Sequence, residues 1–193
     1  MKLAIIKYNA GNIQSVLNAL ERLGLQAAVT DNPEKIRTAD KVIFPGVGEA
    51  SSAMKSLQKN NLDAVIKDLK QPMLGICVGM QLLCNHSEEG DTKCLGIFNQ
   101  SVKKFTGKEK IPQMGWNNIY DLKSPLFKDV DENAYMYFVH SYYVELSEYT
   151  IAKSTYMTEY SAGLQKDNFY AVQFHPEKSS SAGEKILKNF IEL

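Results

Sequence analysis

The sequence predicts an α/β fold: a central, mostly parallel sheet with helices on both faces and extra antiparallel strands at its edge. Three observations carry that prediction. Short apolar runs alternate with helical periodicity through the first half of the chain, the pattern of strand–helix–strand units. From Cys94 onward the texture changes to short β-rich segments broken by Gly, Asn, Asp and Pro. The chain has 193 residues, 44% of them hydrophobic, enough for one compact domain spanning 1–193 and short for two.

The elements follow in order. "LAIIK" at Leu3 to Lys7 reads as a strand. Asn12 then opens a segment in which Ile13, Val16, Leu17, Leu20 and Leu23 recur at helical spacing, closed by Gly24. "AAVT" at Ala27 to Thr30 and "KVIF" at Lys41 to Phe44 read as strands separated by a short helix after Pro33. "PGVGE" at Pro45 to Glu49 is a turn feeding a helix through Ala53, Met54 and Leu57, and Leu62, Val65, Ile66 and Leu69 mark another. "MLGI" at Met73 to Ile76 is the next buried strand. In the second half, "SVKKF", "WNNIY", "YMYFV", "YTIAKST" and "FYAVQF" are expected to add mixed or antiparallel strands at the sheet edge. A capping box of Ser181 and Glu184 is expected to start a last helix, with Ile186, Leu187, Phe190 and Ile191 on its apolar face.

Composition excludes several classes. Net charge is zero with both signs interspersed, so neither nucleic acid nor another polyanion is an expected partner. No apolar run approaches the roughly 20 residues of a membrane span, and the first residues lack a signal-peptide core. A cytoplasmic protein is expected. Cys77, Cys84 and Cys94 are odd in number, without CxxC spacing or clustered histidines, so neither a disulfide framework nor a zinc site is indicated.

Three motifs carry chemistry. "GICVG" at Gly75 to Gly79 fits a nucleophile elbow with cysteine at the tip, where the amino end of a helix favours a thiolate. Alone, the pentapeptide is equally compatible with a buried structural cysteine. Cys84 and Cys94 lack flanking glycines and read as core. A thiolate enzyme needs a proton carrier, and the chain has three histidines. His86 sits in "NHSEEG", which reads as a surface loop; His140 ends the aromatic run "YMYFVH", as core or as pocket. His175 follows "FYAVQF" and precedes Pro176, which leaves its imidazole at a strand's carboxyl end, where ligand sites of parallel sheets collect. Glu177 can accept from that imidazole and fix its tautomer. "PGVG" at Pro45 to Gly48 can turn backbone amides toward an oxyanion, together with the amide of Val78.

"AGNIQSV", "FPGVG", "LGICVGMQLL", "IPQMGWN", "YFVHSYY" and "VQFHPEKSS" together resemble the class I, triad-type glutamine amidotransferases, and among them the glutaminase subunits of imidazole glycerol phosphate synthases. The matching stretches span nearly the whole chain. The resemblance implies a flavodoxin-like fold, no cofactor and no metal. It makes Cys77 the nucleophile on the glutamine amide, His175 the proton carrier and Glu177 its orienter. Val47, Gly48 and Val78 are then the oxyanion donors, and Gln81, Glu89, Ser141 and Tyr142 bind glutamine. Ammonia passes through a channel to a (β/α)8-barrel cyclase that makes imidazole glycerol phosphate and AICAR. Asn12, Met114, Trp116, Tyr137 and Lys178 face that partner. A paralogue feeding another synthase, such as one amidating a nucleotide sugar, stays open, as does a cysteine hydrolase or redox-responsive protein on another substrate; the intact Cys77, His175 and Glu177 set argues against a non-catalytic regulatory subunit. The family commonly has Asp-Tyr-Gly where this chain has Lys7, Tyr8 and Asn9, and Pro-His where it has Pro112 and Gln113. Both departures fall near regions expected to face the partner.

Overall fold

The computed structural model describes residues 1–8 and 12–193; Asn9 and the opening Ala10 and Gly11 of "AGNIQSV" lie outside the described residues. The first half alternates as expected: β1 (Leu3–Ile6), α1 (Ile13–Arg22), β2 (Ala28–Thr30), α2 (Pro33–Arg37), β3 (Lys41–Phe44), α3 (Ala50–Lys59), α4 (Leu62–Asp68), β4 (Met73–Ile76) and α5 (Val78–Leu82). Local chemistry sets the ends. Asn32 caps α2 by accepting from the amides of Glu34 at 2.9 Å and Lys35 at 3.2 Å, while Pro33 occupies the first turn, where no amide donor is needed. α1 buries Val16, Ala19 and Leu20, and Gly24 follows it at φ 73° with its amide on Glu21 O.

The second half contributes β5 (His86–Ser87), β6 (Thr92–Lys93), β7 (Ser101–Lys104), β8 (Gln113–Asn118), β9 (Tyr135–His140), β10 (Tyr142–Val144), β11 (Thr150–Tyr156), β12 (Thr158–Lys166), β13 (Phe169–Val172) and α6 (Ser180–Glu192). The central sheet has the order β11-β12-β13-β4-β3-β1-β2. β13, β4, β3, β1 and β2 are mutually parallel; beyond them β12 pairs antiparallel with β13, and β11 antiparallel with β12. Chain direction reverses at β1, so right-handed crossovers send α1 to one face and α2 to the other. β1, β3 and β4 are buried along their whole length.

Three expectations need correction. "SVKKF", "WNNIY" and "YMYFV" do not extend the central sheet: β7 lies in a separate sheet of order β10-β7-β5-β6, and among the described residues β8 pairs only with β9. β9 alternates strictly, with Met136, Phe138 and His140 buried and the residues between them more exposed, so one face packs on the core and the other is left outside. Second, "NHSEEG" is not all loop. His86–Ser87 pairs with both β6 and β7, and Ser87 is fully buried. Third, the capping box does not form. Ser179 occupies the N-cap with its hydroxyl bonded elsewhere, and Glu184 accepts from Arg22 Nε at 3.0 Å.

Candidate active site

The parallel pairing of β4 with β13 brings together two motifs far apart in sequence. Ile76 and Val172 are register partners at the carboxyl ends of the two strands, and the next residues are Cys77 and Gln173. Cys77 N donates to Val172 O at 2.8 Å. Cys77 itself has φ 54° and ψ −111°, a strained conformation for a residue with a Cβ, and it links β4 directly to α5. Glycine makes the sharp turn fit. A Cβ on Gly79 would press against Phe44 O, and one on Gly46 against the amide nitrogen of Gly79, so the "PGVG" loop lies directly on the elbow. Gly79→Ala is therefore expected to destabilise the fold by about 2 kcal/mol or more through overpacking. Urea melts of the two proteins check this.

His175 stands across from the thiol, past the end of β13. Its amide donates to Tyr137 O at 2.9 Å, and its carbonyl accepts from Ser179 Oγ at 2.6 Å, while that hydroxyl accepts from Tyr137 N at 2.9 Å. β9 and the start of α6 thus hold the His175 backbone. Nδ1 donates to Glu177 Oε1 at 2.8 Å, which leaves Nε2 for the hydrogen bond to Cys77. Burial works against a charged imidazole here, but the Cys77 sulfur and then the Glu177 carboxylate outweigh it and raise the His175 pKa to about 10. The ring is held as a proton donor. Among the described residues Glu177 Oε2 is buried without a hydrogen-bond partner, so the imidazolium supplies the carboxylate's charge balance.

Cys77 and His175 open into a cavity of about 290 Å³. Its other walls include Val47, Gly48, Val78, Gln81, Glu89, Ser141 and Tyr142, so the expected oxyanion and substrate residues lie around one space; Glu177 lies behind His175. Gly48 has φ 101°, a backbone conformation that glycine tolerates and side chains do not. Glu89 Oε2 accepts from Ala50 N at 2.8 Å, which fixes the carboxylate at the start of α3. Burial raises its pKa, the Ala50 amide opposes this, and nearby Glu49 adds to the rise. A ligand cation in the cavity would oppose the rise by favouring the ionised carboxylate. Cys84 and Cys94 are buried too, but burial pushes both thiols up, Cys94 to about 12, and neither lines the cavity.

Of the expected partner-facing residues, Met114 and Trp116 are 65% and 53% exposed on β8. Trp116 is paired in register with Tyr137, their rings meet edge-on at 6.0 Å, and Lys178 Nζ lies over the Tyr137 ring at 5.9 Å. Lys178 also lines the cavity, so this aromatic face is continuous with the cavity mouth. Asn12, partly buried, stands at the amino end of α1, which packs on the turn carrying Glu177 and Lys178. Tyr135, 62% exposed and two residues before Tyr137, extends the face and was not anticipated. Where the chain departs from the family pattern, Lys7 is exposed, Asn9 lies outside the described residues, and Gln113 directly precedes Met114 on β8. Gln113 is buried and accepts from Tyr160 Oη at 3.0 Å, and Tyr8 is buried with its hydroxyl on Pro45 O at 2.6 Å.

The family description "Glutamine amidotransferase class-I" matches residues 4–193. The chain belongs to this family of amidotransferases. It is 59% identical to the imidazole glycerol phosphate synthase subunit HisH of Bacteroides fragilis (strain ATCC 25285), with all of both chains covered. To the subunit of the same name from Vibrio parahaemolyticus it is 44% identical, covering 100% of this chain and 98% of the other. Among solved structures, one described as the crystal structure of glutamine amidotransferase superposes with a TM-score of 0.78 at 16% identity, covering 100% of this chain and 98% of that one, a likeness of fold. In this amidotransferase, sequence reasoning missed the buried polar side chains behind the cavity. Gln173 lies inside the quoted "VQFHPEKSS" but was given no role, because a strand-end glutamine carries no local signature. His140 was left between core and pocket and is both: it lines the cavity, and burial lowers its pKa to about 4.

Proposed function

We infer that this amidotransferase is the glutaminase subunit of an imidazole glycerol phosphate synthase. The observation that carries the reading is the meeting of Cys77 with the His175–Glu177 pair at one cavity between the carboxyl ends of β4 and β13. Cys77 thiolate attacks the side-chain amide carbon of glutamine and forms the C–S bond, while the oxyanion is met by the amides of Val78 and of the loop around Val47 and Gly48. The C–N bond then breaks as the His175 imidazolium gives its proton to the departing ammonia. Water, deprotonated by neutral His175, attacks the glutamyl thioester and releases glutamate and the thiol. Glu89 receives the substrate α-ammonium, with Gln81, Ser141 and Tyr142 around the rest of the amino acid.

The chain works within a synthase complex, and its partner is a (β/α)8-barrel cyclase in the cytoplasm. Ammonia released into bulk water at neutral pH would be protonated and lose its nucleophilicity, so it passes directly to the cyclase, which forms imidazole glycerol phosphate and AICAR for histidine biosynthesis. The face of Met114, Trp116, Tyr137 and Lys178 at the cavity mouth is where the cyclase docks. Trp116→Ala is expected to weaken assembly by about 2 kcal/mol, roughly 30-fold in Kd, as for an aromatic anchor. Calorimetric titration of the two subunits measures it.

The test of the whole reading is glutamate release by the chain alone, with the cyclase, and with the cyclase and its phosphoribulosyl ligand. Turnover is expected to rise at each addition, through rotation of the "PGVG" peptide toward the oxyanion. Equal turnover in all three states removes the switch. Stimulation by a nucleotide-sugar amidating synthase and not by the cyclase would move the chain to another pathway.

A further inference from the structure

Behind the sulfur lies a buried pair of amides: Gln173, to which the reaction as described gives no part, and Gln81, placed there only beside the substrate. Gln173 is fully buried and Gln81 nearly so. Gln81 Nε2 donates to Gln173 Oε1 at 3.0 Å and to Tyr142 O at 3.0 Å, which spends both of its hydrogens on the protein. Because the Gln173 oxygen is taken by that donor, its nitrogen must face the other way, and Nε2 donates to Cys77 Sγ at 3.8 Å. The opposite amide orientation would set two NH2 groups against each other. Tyr142 O is fixed from a second side by His140 Nδ1 at 2.7 Å.

The sulfur's other neighbours sort by charge state. Val139 O, 3.7 Å away, can only accept from the protonated thiol, whereas Gln173 can only donate and gains strength when the sulfur becomes an anion. We propose that Gln173 is a catalytic residue that stabilises and aims the Cys77 thiolate from behind, and that Gln81 is a positioning residue that ties this donor to the substrate-lining strand at Tyr142. The proposal rests on Cys77 being the nucleophile. It also changes the expected part of Gln81, whose amide nitrogen is committed to Gln173 and Tyr142, so that at most its oxygen serves the substrate.

The experiment is the rate of Cys77 alkylation by iodoacetamide against pH, read by peptide mass mapping on the full chain, together with kcat and KM for glutamine in the complex. Among the described residues the titratable groups near the sulfur are His175 with Glu177 behind it, Tyr8 and His140, with Glu89, Tyr142 and Lys178 on the same cavity, and none is altered by the variants. Gln173→Met keeps the bulk and removes the donor. Its alkylation midpoint is expected to move up by about one pH unit, and kcat to fall roughly tenfold, the worth of a hydrogen bond to a charged group, with KM within about twofold. Gln173→Glu, which sets a carboxylate beside the sulfur, moves the midpoint further in the same direction. A midpoint that stays at the wild-type pH in both variants overturns the proposal. Should neither accumulate as folded protein, Gln81→Met carries the test, because it leaves Gln173 in place but unanchored, and an unmoved midpoint there is equally fatal. Cys77→Ala run alongside separates the two levels: glutamine turnover surviving it would overturn the nucleophile itself, whereas turnover lost with unmoved midpoints overturns only Gln173.

Discussion

Cys77→Ala is expected to abolish glutamine-dependent synthesis by the complex while synthesis from added ammonia continues at the wild-type rate. The substitution keeps a Cβ, so it neither relieves nor worsens the strain of φ 54°, and removes only the sulfur. No other thiol can replace it. Cys84 and Cys94 are buried in the core with thiols that burial pushes up, and neither reaches the cavity. The site of ammonia use belongs to the other subunit, so a folded, assembled variant that lost both activities would contradict the division of labour proposed above.

The second large effect concerns the imidazole and its carboxylate. His175→Asn removes the proton carrier, and kcat for glutamine is expected to fall roughly 10²–10⁴-fold, the usual worth of general acid–base catalysis. Glu177→Gln keeps the carrier but removes a negative neighbour that holds its proton. The His175 pKa then drops below about 10, so the high-pH limb of the glutaminase profile moves to lower pH. The linkage has the same sign. A histidine whose folded pKa is raised above its unfolded value near 6.5 adds stability that is fully present below about pH 6.5 and lost as pH rises through about 10. A pH–rate profile of Glu177→Gln that superposes on the wild type would show that the carboxylate only fills space.

Much of this was legible because the relevant residues obey local rules. The apolar runs and helical periodicity of the first half named β1 to β4 and their helices, since β1, β3 and β4 are buried end to end and α1, α3 and α4 bury residues at helical spacing, while β2 is mostly exposed. "GICVG", "PGVG" and "FHPE" were legible as chemistry because each couples a reactive or backbone-freeing residue to a strand end. The second half was less so. Whether "YMYFV" joins a central sheet or pairs only with "WNNIY" depends on tertiary packing that alternation does not encode, and β8 and β9 form their own sheet. The Ser181 and Glu184 capping box has the right spacing, yet Ser179 and the strained Ser180, at φ 52°, start α6 because the chain must leave the His175 turn there. The Gln81–Gln173 pair was invisible for a simpler reason: its members are brought together only by the parallel pairing of β4 with β13.

The central claim is that glutamine passes through a covalent thioester on Cys77. The direct measurement is peptide mass mapping of the complex after acid quenching during steady turnover of glutamine. The account predicts a glutamyl adduct on the peptide carrying Cys77, absent without glutamine and absent in Cys77→Ala. An adduct on Cys84 or Cys94, or full turnover after Cys77 has been alkylated, would contradict it.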